Sequence, residues 1–284
     1  MRALLKGAAA AACVIAAAAA VPASAQTGNQ RLDRRWDRCA NESGQFTLRQ
    51  AIRACSRLIR TRSLSAEDRS IAYYDRGNHR FDQGDYQAAI ADFDAAIAQH
   101  SANAWAHTNR GNAYVELGQY DRALADLTEA IRLDPLDGGG YDARSSYYSR
   151  VGDFANAVAD SREATRLAPD NADYLNSLCW HLAQANTDLD EARRACDRSL
   201  EIRLDAATLD SRGFVALRQG RNQDAWNDYN AAFQADSTLA SALYGRGLAA
   251  LRLGRTEEGR ADLDAAAHLD AEIAATYAGV GLTP

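Results

Sequence analysis

The sequence has 284 residues, 47% of them hydrophobic, which is enough to bury a sizeable core. Its formal charge is −6, and from residue 26 onward thirty arginines stand against thirty-eight carboxylates, a formal −8. That acidic balance argues against general nucleic-acid or anionic-membrane binding, and because Lys6 is the sole lysine, Schiff-base chemistry beyond it is excluded.

In chain order, residues 1–25 read as an export signal. Arg2 and Lys6 precede an alanine-rich apolar run, and Ala23-Ser24-Ala25 precedes Gln26, so cleavage is expected after Ala25. The run is too short and too alanine-rich to span a bilayer, and no membrane insertion is expected after cleavage. Residues 26–34 read as a polar, unordered lead-in. Residues 35–69 form a divergent helical hairpin, in which Ala51-Ile52-x-x-Cys55 repeats the spacing of Ala89-Ile90-x-x-Phe93. Six clearer units follow at 70–103, 104–137, 138–171, 172–205, 206–239 and 240–273, and 274–284 is a cap and tail.

Each unit predicts a helix, a glycine turn and a second helix. Tyr86 to Ile97, for example, carries apolar residues at i, i+3, i+4 and i+7, one buried helical face. Ser65 and Asp68 have the spacing of a capping box, and Pro135 and Pro169 stop second helices. Gly138-Gly139-Gly140 predicts a soft helix start.

The turn residue recurs every 34 positions as Gly84, Gly118, Gly152, Asn186, Gly220 and Gly254. Asn is the residue that best tolerates the left-handed backbone after Gly, so the one exception keeps the same turn available. A second ladder runs seven residues upstream through Gly77, Gly111, Ser145, Cys179, Gly213 and Gly247, and a third marks Ala89, Ala123, Ala157, Ala225 and Gly259. This pattern resembles the tetratricopeptide repeat, and the resemblance covers nearly all of the chain after residue 25. It implies an all-α solenoid of stacked helical hairpins, a right-handed superhelix whose first helices line a concave face that binds protein or extended peptide.

Compared with one another, five units carry an arginine before the small residue and an aspartate sixteen positions later: Arg76 with Asp92, Arg110 with Asp126, Arg144 with Asp160, Arg212 with Asp228, and Arg246 with Asp262. These slots are symmetric about the turn and should face each other within a hairpin. In the remaining unit both are replaced together, by Leu178 and Ala195, which favours a structural ion pair. That unit places Cys179 and Cys196 in adjoining slots, and the divergent hairpin repeats the arrangement with Cys39 and Cys55. We expect the disulfides Cys39–Cys55 and Cys179–Cys196 in an oxidising compartment, buried free thiols being the alternative.

The five histidines are scattered, and no Cys-x-x-Cys, nucleophile elbow, phosphate loop or dinucleotide fingerprint occurs. No metal, no cofactor and no catalytic residue is expected. On the face implied by the family, Tyr74, Asn78, Phe81, Asn109, Asn112, Val115 and Glu116 point into the groove in the first units, followed by Trp180, Phe214, Leu217, Tyr244, Leu248 and Leu251. Asn offers donor and acceptor to a peptide main chain, and aromatics anchor at low entropy cost. Packing between neighbouring helices is the competing role for each. Asn78 and Asn109 match two positions of the family's carboxylate clamp, but its basic positions are Tyr74, Gly139 and Ala143 here. The expected function is that of a periplasmic scaffold for a protein or peptide, with an envelope enzyme that presents substrate, or a self-assembling structural element, as alternatives.

Overall fold

The computed structural model describes residues 23–284, with side chains from residue 32. The expected export signal lies outside the described residues apart from its last three. Among the described residues the regular elements are fifteen helices. They pair as α1 (Ala23–Ala40) with α2 (Leu48–Ile59), α3 (Ala66–Asp82) with α4 (Tyr86–Gln99), and α5 (Ala104–Glu116) with α6 (Tyr120–Leu133). Then follow α7 (Gly138–Arg150) with α8 (Phe154–Leu167), α9 (Ala172–Ala185) with α10 (Leu189–Ile202), α11 (Ala206–Arg218) with α12 (Asn222–Ala235), and α13 (Ala240–Arg252) with α14 (Thr256–Leu269). A short α15 (Ile273–Gly279) ends the helical chain.

The turn ladder has the backbone that its residues predict. Gly84, Gly118, Gly152, Gly220 and Gly254 have φ of 78°, 69°, 82°, 71° and 79°, and Asn186 takes the same region at 51°. An alanine at these positions would carry the steric cost of the left-handed conformation, so the periodic glycine is a requirement of the turn. The upstream ladder has a different cause. A Cβ on Gly77 would stand 2.6 Å from the Phe93 ring, so the small residue is where the two helices of a hairpin touch.

Helix α1 runs through 26–34, where the polar composition predicts no order. The reason is an apolar stripe at i, i+4 and i+7: Leu32 and Trp36 pack on the cluster formed by Cys39, Ala54, Cys55, Leu58, Leu64 and Ala72. Gly138, Gly139 and Gly140 form the first turn of α7, where Asp137 accepts a hydrogen bond from the Gly139 amide and a Cβ on Gly140 would meet Ile131 at 3.1 Å.

The described residues make two compact units, 23–143 and 144–284. In the first, α1 to α6 pack each on the next, and α3 also touches α5. In the second, α8 to α14 do the same, and first helices adjoin through α9 with α11 and α11 with α13. Its core joins Leu178, Leu182, Phe214, Leu217, Tyr229 and Leu248 in one buried cluster.

All five arginine–aspartate pairs close as two-pronged bonds from Nε and Nη2, with N···O distances between 2.6 and 3.0 Å. Four of these arginines spend Nη1 on the preceding hairpin: Arg76 on Ser56, Arg110 on Asp94, Arg212 on Asp197 and Arg246 on Asn230. One planar guanidinium therefore ties its own hairpin together and to its neighbour, which a point-charge lysine would not reproduce. Burial alone would raise the Asp126 carboxyl; hydrogen bonds from Arg110 and His107 outweigh it and hold the group below the usual carboxylate range.

Candidate functional site

In the unit 23–143 the nominated polar residues form one network on adjacent first helices. Asn109 Nδ2, from α5, donates to Asn78 Oδ1 at 2.8 Å and to Tyr74 Oη at 3.2 Å, both on α3. The Tyr74 ring lies 6.1 Å from Phe93 and 6.5 Å from Trp105, and burial pushes its phenol upward. Part of each asparagine is thus used in joining helices. Asn109 Oδ1 and the half-buried Asn112 side chain take no hydrogen bond among the described residues. Beside them Trp105 is 56% exposed, its indole N–H donating to Asp137 at 3.2 Å. Trp105 was not recognisable from the groove positions, since it begins α5 one turn before Asn109; its exposure is the signal.

In the unit 144–284 the nominated apolar residues also come together, but Phe214, Leu217, Tyr244 and Leu248 are covered, while Trp180 and Leu251 stay half-buried. The Trp180 and Phe214 rings lie 5.1 Å apart, tilted by 44°, and Phe214, Tyr244 and Leu248 are buried. The cover is the chain's own end. Tyr277 of α15 sets its ring 5.8 Å from Phe214 and 4.7 Å from Tyr244, and its hydroxyl donates to the Ser241 carbonyl at 3.0 Å and lies 3.4 Å from the Tyr229 hydroxyl. Gly281, at φ 76°, stops the helix: the amides of Gly281 and Leu282 return to the carbonyls of Ala278 and Tyr277, each at 2.9 Å. The tail then continues with Leu282 buried and with Arg218 of α11 donating to the Val280 carbonyl. The aromatic face of α11 and α13 is thus filled by Tyr277, with Leu282 buried in the same cluster.

The cysteines stand as paired neighbours. Sγ of Cys39 lies 2.16 Å from that of Cys55, and Sγ of Cys179 lies 2.05 Å from that of Cys196, with Cα separations of 4.7 and 5.4 Å. Around the first pair, His79 Nε2 donates to the Cys39 carbonyl at 2.6 Å, and Asp75 Oδ2 lies 3.7 Å from Cys39 Sγ. Burial, with Glu42 adding to it, pushes the Asp75 carboxyl up to about 7. Near the second pair, His181 meets the Ser161 hydroxyl at 2.6 Å and burial lowers it to about 4, so it is a neutral core residue. Among the described residues no cluster of three or more histidine, cysteine or carboxylate side chains could hold a metal, and no helix is long and apolar enough to cross a membrane.

Hairpins closed by bidentate ion pairs, with first helices set side by side, define a helical-repeat scaffold for protein or peptide binding. The tetratricopeptide repeat pattern is matched over residues 48–104, 74–138 and 212–274, and again over 140–171. The chain belongs to the tetratricopeptide repeat family. Among solved structures it is similar to a tetratricopeptide repeat protein from Parabacteroides merdae, at 18% identity and a TM-score of 0.62, covering 85% of this chain and 94% of that one. It is similar as well to PilW, a widely conserved type IV pilus biogenesis factor, at 17% identity and 0.62 over 70% and 92%, and to pilF of Pseudomonas aeruginosa, at 17% and 0.58 over 75% and 94%. Likeness at these identities concerns the fold alone. No curated protein matches the chain.

Proposed function

We propose that the chain is an exported, periplasmic, non-catalytic scaffold that grips an extended peptide segment of a partner protein on the α3–α5 face. The observation that carries this is the contrast between the two units. The aromatic face of α11 and α13 is occupied by Tyr277, whereas beside α3 and α5 the Asn109 carbonyl oxygen, Asn112 and the exposed Trp105 ring remain available. An asparagine carbonyl accepts from a peptide N–H while a neighbouring aromatic takes a side chain, which is how extended peptides are held. Two cysteine pairs at bonding distance fit an oxidising compartment.

The test is selection of peptides from a random library on the immobilised chain, followed by affinity measurement with Asn109→Ala, Asn112→Ala and Trp105→Ala. Loss of about tenfold or more in variants that keep their helicity supports the reading, since each removes an anchoring contact. Equal affinity for all three would place binding elsewhere. For export, amino-terminal sequencing of the protein from the envelope fraction should begin at Gln26; a cytosolic protein beginning at Met1 would overturn that part.

A further inference from the structure

The hairpin of α1 and α2 dismantles the repeat's ion pair by half. Arg38 keeps the arginine slot, directly before Cys39 as Arg76 stands directly before Gly77. Sixteen residues on, where the other hairpins carry Asp92 or Asp126, this one carries Ala54. The α9–α10 hairpin has neither partner: Leu178 and Ala195 stand in their place, both buried in one apolar cluster. Keeping the guanidinium while removing its carboxylate has no such packing rationale. Arg38 makes no ion pair among the described residues; its guanidinium carbon sits 5.3 Å from the centre of the Phe46 ring.

Ala54 and Arg38 border a cleft of about 390 Å³ whose walls also carry Arg34, Arg35, Arg53 and Arg57. None of these five arginines has a carboxylate partner among the described residues, whereas the arginine of the Arg38 slot is paired with an aspartate in five of the six clear units. From residue 31 to residue 62 nine arginines face three carboxylates, within a chain that is acidic as a whole. Like charges gathered around one cleft repel one another, and an anion entering it relieves that repulsion.

We propose that this cleft binds a phosphoryl group, with the Arg38 fork gripping two of its oxygens where the other hairpins supply their own aspartate. The arginine fork fits carboxylate and phosphate alike, but five guanidinium groups call for more charge than a single carboxylate carries. The volume suits one ligand head group and is too narrow for a helix, whose diameter with side chains is about 10–12 Å. The cleft is built from α1 and α2, so it is separate from the peptide face proposed on α3 and α5.

The experiment is calorimetric titration of the full chain with inorganic tripolyphosphate at low and high salt. Saturable binding at one site, weakened by salt, is expected. Arg38→Gln combined with Arg57→Gln should lower the affinity at least about tenfold, because it removes the fork and one flanking charge. Ala54→Asp should abolish binding while raising the melting temperature, since it restores the pair that the other hairpins use. Arg132→Gln, a change at an exposed arginine paired with Glu129 in its own helix, should leave binding unchanged. Sedimentation with phosphatidylglycerol but not phosphatidylcholine vesicles, competed by tripolyphosphate, would assign the phosphate to a lipid head group; tripolyphosphate binding without vesicle binding would assign it to a soluble ligand. Either is the proposed site. Absence of saturable binding, or binding that a folded Ala54→Asp variant retains, overturns the proposal. So does self-association that the Arg38→Gln change abolishes while tripolyphosphate fails to bind, because the cleft would then hold an acidic surface of a second copy.

Discussion

Replacing Tyr277 with alanine should release the chain end from the face it covers. A seven-residue helix has no stability of its own in water, so α15 exists because it is docked. Tyr277 is 3% exposed and contributes the ring contacts to Phe214 and Tyr244 together with the hydroxyl bond to Ser241. Deleting a buried aromatic side chain costs about 3–5 kcal/mol, and the lost hydroxyl bond about 1 kcal/mol within that. A segment docked beyond the last hairpin can lose no more than its own docking energy, so the effect should be local opening of 273–282 and not global unfolding. At about 1.4 kcal/mol per factor of ten, a loss of 3 kcal/mol corresponds to about a hundredfold fall in amide protection. Hydrogen exchange read by mass spectrometry should locate that fall in 273–282, with Tyr277→Phe showing about a fivefold change from the missing bond alone. Trp180, in ring contact with Phe214, should report the newly wetted face in its fluorescence. Unchanged protection of 273–282 in Tyr277→Ala would refute the idea that this side chain holds the tail.

Asp75 should make stability depend on pH. Its folded carboxyl lies at about 7 against an ordinary value near 3.8, so between those values the folded state holds a proton that the unfolded state has released. Stability should therefore fall as pH rises through that window, by up to about 4 kcal/mol, and level off above it. Melting curves of Asp75→Asn should be flatter across the window than those of the natural chain. Alkylation without reductant should add no mass to the protein, and reduction should lower the urea midpoint by an amount equivalent to about 3 kcal/mol for each cysteine pair, whose separations are 16 and 17 residues. Arg212→Leu should cost about 3–5 kcal/mol by stranding the buried Asp228, and adding Asp228→Ala should recover part of it, as the Leu178 and Ala195 combination does in the chain itself.

What the sequence makes legible is what repeats. Asn186 in the glycine ladder, the five arginine–aspartate pairs and the slots of the four cysteines could all be aligned against other units of the same chain, and each has a geometric cause that every hairpin shares. Features that occur once were harder to read. Helix α1 looked unordered because its stripe of Leu32, Trp36 and Cys39 is diluted by charged residues between them. The third bond of each structural arginine, to Ser56, Asp94, Asp197 or Asn230, uses residues of different type at unequal spacing. Tyr277 and Leu282 fall beyond the last full repeat, where no equivalent unit says which way a side chain turns. The whole-chain charge likewise conceals the arginines of α1 and α2, because an average over many acidic helices says nothing about one hairpin.

The two cysteine pairs and the arginine cleft share a physical origin. Each of the seven hairpins, the divergent first one included, needs a link between its helices near the close contact of the two ladders, and five use the arginine–aspartate pair. The two that lack the aspartate, with Ala54 and Ala195 in its place, are those that place two sulfur atoms in the adjoining slots. A disulfide in the neighbouring position relieves the ion pair of its structural task, so the residues of that pair become free to change. In the α9–α10 hairpin both changed, to Leu178 and Ala195, which are buried in one apolar cluster. In the α1–α2 hairpin only the acid changed, and four further arginines gathered round the remaining one. Since the fold no longer needs Arg38 as a clamp, its retention beside Ala54 is the reason to look for an anion there before anywhere else on the chain.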